Sequence, residues 1–286
     1  RLGVSGVRET TGIADSTLAG AELLLRHSDG TFLSFEAARS EGPGFGTSFS
    51  LNGGLEIDPA NPSAGVSGAP AMGYRLKARA DLADFGGKGF GADYYGDREA
   101  GFSSPDLDIT EAQTTWGIDG EVAVAPKLAL TFGADRFHDA TSRTRMDGRV
   151  GLAYDLTGQT RLEVELAHTD RTTPASTLEE DNGTRSVVGT RLTWARDDDL
   201  SVWGFAQGTL RHDGGLGRND RLGFGAKTRL TDALTFTGEV SGGSLGAAGK
   251  AELTWAKNAD TTYSFGYRLD PMRLRDSSTV LGSDNG

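Results

Sequence analysis

The sequence predicts an all-β chain, an antiparallel up-and-down transmembrane β-barrel of about 14–16 strands that is incomplete at its C-terminus. Three observations predict it. In Thr184–Arg211, TRSVVGTRLTWARDDDLSVWGFAQGTLR, Val188, Thr190, Leu192 and Trp194 fall on one face of a strand, and Val187, Gly189, Arg191 and Thr193 on the other. A period of two marks a strand with one face in apolar surroundings and the other in water. The strands are also long, about a dozen residues here, whereas globular strands cluster near five or six and a tilted bilayer crossing takes about 9–11. Finally, short turns near residues 29, 85, 126, 158, 198, 232 and 259 alternate with longer connections. Tight turns on one side of the membrane and longer loops on the other produce that pattern.

Taken in order, Arg1–Glu9 alternates weakly and Thr10–Ser16 reads as a loop. Thr17–His27 and Thr31–Arg39 form a hairpin around Ser28-Asp29-Gly30, where Asp-Gly supplies the backbone angles of a tight turn. Gly42–Pro70, rich in Gly, Pro, Ser and Asn, is one long surface loop (42–70) with a short hairpin at Asn52-Gly53. From Met72 the alternation sharpens: Tyr74, Leu76, Ala78, Ala80 and Leu82 oppose Arg75, Lys77, Arg79 and Asp81. A turn at Asp84–Gly87 leads into Gly89–Asp97, and a loop through Pro105 into Ile109–Val124. Ala125-Pro126-Lys127 starts Leu128–Phe137, and Arg143–Leu156 repeats the design with Val150, Leu152, Tyr154 and Leu156 on one face. After Thr157-Gly158-Gln159, Leu162, Val164 and Leu166 alternate with Arg161, Glu163 and Glu165. A polar loop, Arg171–Gly183, reaches the Thr184–Arg211 hairpin, whose second strand keeps both orientations open because Trp203 and Phe205 oppose Leu200 and Val202. Leu222, Phe224, Ala226 and Leu230 then alternate with Arg221, Lys227 and Arg229; Leu234–Val240, Lys250–Lys257 and Thr261–Leu269 complete the series.

The first and last of these strands both lie open toward the long-loop side. Arg1–Glu9 is therefore expected to be an additional strand, at least one closing strand is expected after Gly286, and 270–286 reads as a loop cut short. The whole of 1–286 is expected to be a single transmembrane β-barrel domain.

Composition agrees. Hydrophobic residues make up 36% of 286 positions and no run of 18 apolar residues exists, so no helix spans a membrane, whereas barrel strands give half their residues to water. Gly 42 against Pro 8 suits many turns and closely packed strands. Cys 0 removes disulfide scaffolds and thiol chemistry, and a net charge of -11 argues against nucleic acid as a partner.

Alternating strands, short turns, acidic balance and absent cysteines together resemble Gram-negative outer-membrane β-barrel proteins. Arg39–Gly46, RSEGPGFG, followed by FSLNGGLEI, is similar to the barrel region of very large proteobacterial surface proteins. The resemblance implies a bacterial outer-membrane location, outer-membrane lipid as surroundings, and further barrel segments or other subunits as partners. Such barrels usually finish on an aromatic residue, whereas this chain finishes on Gly286.

The charged positions of the strands carry what chemistry there is. Arg75, Lys77 and Arg79 form one basic ladder, Arg143, Arg145 and Arg149 a second, Arg221, Lys227 and Arg229 a third; Arg191 shares their side. Asp119, Glu121, Glu163, Glu165, Glu239 and Glu252 face the same way. Such rows either pair and hydrate a lumen or impose a transverse field that screens solutes by charge. Trp116, Tyr154, Trp194, Trp255, Tyr263 and Tyr267 lie on the apolar face, where aromatics at strand ends anchor a barrel at the headgroup levels. No cofactor, metal site or enzyme activity is expected. The four histidines lack ligand spacing, no GxSxG elbow occurs, and Gly86–Gly91 and Asp197–Asp199 read as turns.

The first function class is a charge-lined pore for hydrophilic solutes. The second is a membrane anchor or export barrel of a larger surface protein, with no open pore.

Overall fold

Strand follows strand along the computed structural model, which describes residues 1–10, 15–42, 69–104, 107–258 and 260–269. The strands are β1 (Leu2–Thr10), β2 (Asp15–Arg26), β3 (Phe32–Glu41), β4 (Ala71–Asp81), β5 (Gly89–Arg98), the short β6 (Ser103–Ser104) and β7 (Leu107–Asp108), β8 (Gln113–Ala125) and β9 (Leu128–Asp139). There follow β10 (Thr144–Asp155), β11 (Thr160–Thr172), β12 (Gly183–Asp197), β13 (Leu200–Gly214), β14 (Arg221–Thr231), β15 (Leu234–Gly243), β16 (Gly246–Asn258) and β17 (Thr261–Leu269). Fifteen of them form one sheet in the order β1-β2-β3-β4-β5-β8-β9-β10-β11-β12-β13-β14-β15-β16-β17, with β6 and β7 a separate small hairpin. Sequence neighbours are sheet neighbours throughout, which is the up-and-down arrangement. The expected extra strand at the start is β1, antiparallel to β2 from Leu2↔Leu23 to Thr10↔Asp15. The sheet is not closed: among the described residues β1 and β17 stand at its two ends. No helix among those residues is long and apolar enough to cross a membrane, which leaves crossing by strands untouched.

Two compact units are present. One comprises Arg1–Gly120, Ala134–Arg145 and Thr172–Pro174; the other comprises Glu121–Gly133, Met146–Arg171 and Ala175–Gly286. In the first, register places Leu2, Leu23, Phe35, Leu76 and Tyr95 side by side across five strands, and the next residues along, Gly3, Glu22, Glu36, Arg75 and Gly96, form the adjacent row on the opposite face. In the second, Leu162, Leu192, Gly204, Phe224, Val240, Gly249 and Leu269 make an apolar row. Its neighbour on the other face is Glu163, Arg191, Phe205, Gly223, Ser241 and Ala248. A slip of one residue would exchange the two faces, so the pattern itself fixes register.

The apolar rows lie open to the surroundings: Leu2, Phe35, Tyr95, Leu192, Phe224, Val240 and Leu269 are all exposed. Buried apolar clusters are small. Ala71, Phe102 and Ile109 pack with Leu18 and Ala38 in the first unit, and Ala167 with Val187 in the second. Phe102 lies over Gly73, and the backbone N–H of Ser103 donates to Ser40 Oγ at 3.0 Å, which lays the β5–β8 connection against β3 and β4.

Turns follow local chemistry. The Asp197 carboxylate accepts from the backbone N–H groups of Asp199 and Leu200, both at 3.0 Å, so the acidic triplet caps its own hairpin. Gly86–Gly91 is likewise a turn running into a strand: a 3-10 turn at Leu82–Phe85 ends on Gly86 at φ 81, a left-handed angle that glycine adopts without penalty. One connection departs from expectation. The residues between the expected strands Leu234–Val240 and Lys250–Lys257, where a longer connection is expected, instead extend both strands, which meet in a two-residue turn at Ser244-Leu245. Gly243 pairs with Gly246, and the carbonyl of Asp220 occupies the space a side chain on Gly243 would need. Close backbone approach, not flexibility, explains that glycine. The expected 42–70 loop with its Asn52-Gly53 hairpin lies almost wholly, and the 270–286 tail wholly, outside the described residues.

Candidate functional site

Charged side chains stand on the face opposite the apolar rows. Trp203 and Phe205, whose orientation the sequence leaves open, point to this face. Directly across from them on β14 stand Gly225 and Gly223. A Cβ on either glycine would overlap the facing ring. The Trp203 indole therefore lies over Gly225 and reaches one strand further, where its Nε1 donates to Glu239 Oε2 at 2.9 Å. Phe205 lies over Gly223 with the Arg221 guanidinium 4.9 Å from its ring centre, and Arg191 caps Trp203 at 4.8 Å. These are cation–π contacts that hold each arginine's charge over an aromatic face.

Arg221 joins the two ends of this cluster. Its Nη2 donates to Ser241 Oγ at 3.1 Å and lies 3.6 Å from Glu239 Oε1; the two side chains are only 5% and 8% exposed. Above them the β13–β14 connection folds over the same face. Gln207 Nε2 donates to the Asn219 carbonyl at 2.6 Å, Arg185 Nη1 to that of Gly217 at 3.2 Å, and the Thr209 N–H to Asp220 Oδ1 at 2.6 Å. Asn219, Arg185 and Leu216 are buried there. In that connection the Asp220 carboxyl is held below the usual carboxylate range, first by the Thr209 N–H and then by Arg218, whose Nε donates at 2.8 Å.

The remaining expected charges fall as follows. Glu163 is opposite Arg191, and Glu165, buried, is opposite Gly189. Arg145 and Arg149 share a face of β10, with Arg149 laid across Gly133 of β9. Asp119 and Glu121 share a face of β8 with Gly117. Arg229 pairs with Asp199 at 3.0 Å beside the β12–β13 turn, and Lys227 is exposed on β14. In the first unit Arg75 pairs with Glu36 at 2.7 Å, Arg79 covers the Phe90 ring at 4.1 Å, and Lys77 stands opposite Tyr94. Arg143 stands apart from the ladders. It lies in the β9–β10 connection, where Asp139 accepts from its Nε at 2.9 Å and the Phe137 ring lies beneath its guanidinium at 5.0 Å. The left-handed Ser142 ends strand geometry just before it.

The expected aromatic set divides by level along the strands. Tyr154, Trp194, Trp255 and Tyr263 lie within a few residues of the short turns, Trp255 and Tyr263 as a stacked cross-strand pair 5.5 Å apart. Trp116 and Tyr267 lie toward the opposite strand ends.

Residue reasoning on the sequence missed Trp203, Phe205, Gln207, Asn219 and Arg185 as members of the charged face. One signal could have found the rings: Gly223 and Gly225 leave gaps on the charged side of β14 that only a neighbouring strand's large side chain fills.

No family model and no curated protein matches the chain. Among solved structures, the FrpB iron transporter from Neisseria meningitidis matches with a TM-score of 0.51 at 12% identity, over 93% of this chain and 53% of that one. A mutant of the Rh. blastica porin matches at TM-score 0.40 and 12% identity, over 94% of this chain and 100% of that one. The ferric enterobactin receptor PfeA of Pseudomonas aeruginosa, also a mutant, matches at 0.40 and 13%, over 88% and 48%. The chain thus spans about half the length of the two iron-related proteins. These neighbours are outer-membrane β-barrel proteins. The likeness to FrpB shows a shared fold: an antiparallel up-and-down β-sheet of the β-barrel kind.

Proposed function

We propose that residues 1–286 form one membrane-embedded domain, an integral bacterial outer-membrane β-barrel whose charged face bounds a polar lumen for the passage of hydrophilic solutes. One observation carries this reading, the inversion of the usual soluble pattern. Leu192 is 49% exposed and Phe224 68%, while Arg221 and Glu239, on the opposite face of the same sheet, are covered. Water penalises an apolar surface of that extent, whereas lipid surrounds it at no cost. The ladders Arg75–Lys77–Arg79, Arg145–Arg149 and Arg221–Lys227–Arg229, with their acidic neighbours, are the wall that solutes meet. Aromatics near the short turns and at the far strand ends form the two headgroup belts.

Conductance across planar lipid bilayers tests it. Folded protein reconstituted from detergent is expected to give steady, stepwise ionic currents. Correctly folded protein that inserts and yet carries no current at any voltage overturns the pore and leaves an anchor or export barrel.

A further inference from the structure

The middle of β4 carries a column of like charge. Arg75, Lys77 and Arg79 follow one another on one face, and alternate residues of a strand leave the backbone about 7 Å apart. Register sets what stands beside them. On β3 the facing residues are Glu36, Ser34 and Phe32; on β5 they are Gly96, Tyr94 and Ala92. One carboxylate therefore faces three cations across the sheet, and Arg75 takes it. Its Nη2 donates to both Glu36 oxygens, at 2.7 and 2.8 Å. The next acid along β4, Asp81, accepts instead from the Ala83 N–H at 2.9 Å. Tyr94 donates its hydroxyl away from the column, to Asp135 at 2.6 Å. Arg79 lies over the Phe90 ring at 4.1 Å, a contact that supplies no oxygen acceptor for its N–H groups. Among the described residues, Lys77 has no ion pair and the Ser34 hydroxyl no hydrogen bond. Uncompensated positive charge thus collects at Lys77 and Arg79, in a chain whose net charge is -11.

We propose that Lys77, Arg79 and Ser34 form a binding site for a small oxyanion of the phosphate class. Arg79 presents a planar fork suited to two oxygens, Lys77 a mobile point charge, and Ser34, directly across from Lys77, a neutral donor. Charge-assisted bonds of about 2.8 Å from both long side chains to one oxyanion bridge the spacing between their positions. Arg75 is a poorer partner, because Glu36 already holds it and repels an anion brought beside it. The inference rests on the reading of this face as a wall that solutes meet, and it names the class of solute that the wall of this unit retains.

Acylation of lysine amines by an activated ester, read peptide by peptide by mass spectrometry, tests it without need of a pore. The full chain in detergent micelles is titrated with inorganic phosphate at constant ionic strength. Saturable protection of Lys77 is expected, while Lys227, exposed on β14, reacts at an unchanged rate. Arg79→Gln is expected to raise the phosphate needed for half protection by about fivefold, the loss of one partly solvated charged partner. Arg196→Gln, which removes the same charge beside the β12–β13 turn, leaves it unchanged. Strand content by circular dichroism verifies each variant, and the contrast of Lys77 with Lys227 needs no variant at all. Acylation of Lys77 at one rate whatever the phosphate concentration, or equal protection of Lys227, overturns the site. Because protection is read apart from current, a chain that conducts without protecting Lys77 defeats this inference alone, and one that protects it without conducting defeats the pore alone.

Discussion

Two stretches of charged face solve the same problem in different ways. On β2 to β5 the ions remain wet. Arg75 and Glu36 pair at 2.7 Å with side chains 45% and 37% exposed, and Glu22, Glu36 and Arg75 simply follow one another along a row. On β12 to β15 the ions are covered. Arg221 and Glu239 lie beneath Phe205, Trp203 and the β13–β14 connection, and two glycines on β14 supply the room. The difference teaches that a polar face is not uniform in energy. An exposed pair gains little over its hydration, whereas a covered pair is held in place because either partner alone would be stranded.

Removing one carboxylate from each region gives the largest contrast. Glu239→Ala is expected to destabilise by about 3–5 kcal/mol, since it removes a carboxylate from beside the buried Arg221 and the acceptor of the Trp203 N–H, whereas Glu36→Ala is expected to cost about 0–1 kcal/mol. Urea unfolding from lipid vesicles measures both; equal losses would erase the distinction between the regions. The opposite face of β12 sharpens it next. Leu192→Arg, like Leu152→Arg on β10, is expected to impair insertion by about 2–4 kcal/mol if these residues meet hydrocarbon near the midplane. Arg191→Leu, one position away, is expected to be much milder, and parity between the two faces in the same assay would refute their assignment.

A smaller effect probes the glycine gaps. Gly225→Ala places a methyl against the Trp203 indole and is expected to cost about 1–3 kcal/mol by overpacking, with a change in Trp fluorescence as the ring leaves Glu239. Gly91→Ala on β5, where a Cβ meets nothing within 4 Å, has no such clash to relieve and should leave the spectrum unchanged. Unaltered fluorescence in both variants would mean that the ring does not rest on Gly225.

The smallest effect is acid dependence in the connections. Asp220, by the Thr209 N–H and Arg218, and Asp84, by the Ser28 and Thr31 hydroxyls, both titrate below the ordinary carboxylate range. A carboxyl depressed in the folded state stabilises above its unfolded pKa and loses that contribution as pH falls through the folded value, so the loss is confined to pH below about 4. Asp220→Asn should flatten the acid limb of the unfolding midpoint against pH, and a limb unchanged by that substitution would dismiss the Asp220 bonds as a source of stability.

Much of this molecule was legible from residue order. A strand's period is two whatever surrounds it, so Leu192 and Arg191 had to part company, and Thr261–Leu269 ends where β17 ends. The Arg1–Glu9 strand followed from counting turns, because each antiparallel strand reverses the chain. Glycine was the weak point. The same residue type marks a turn at Gly86, a gap beneath an indole at Gly225, and a close backbone approach at Gly243, and nothing in its own chemistry separates these.

Alternation and strand length alone decided that one face is greasy, the other charged, and the order of strands in the sheet, since both depend only on covalent geometry and on neighbours along the chain. Packing across strands decided which arginines are wet and which are covered, that Trp203 and Phe205 turn to the charged face, and that Arg221 reaches Glu239. Those outcomes depend on register and on what stands opposite, quantities that exist only once several strands are side by side.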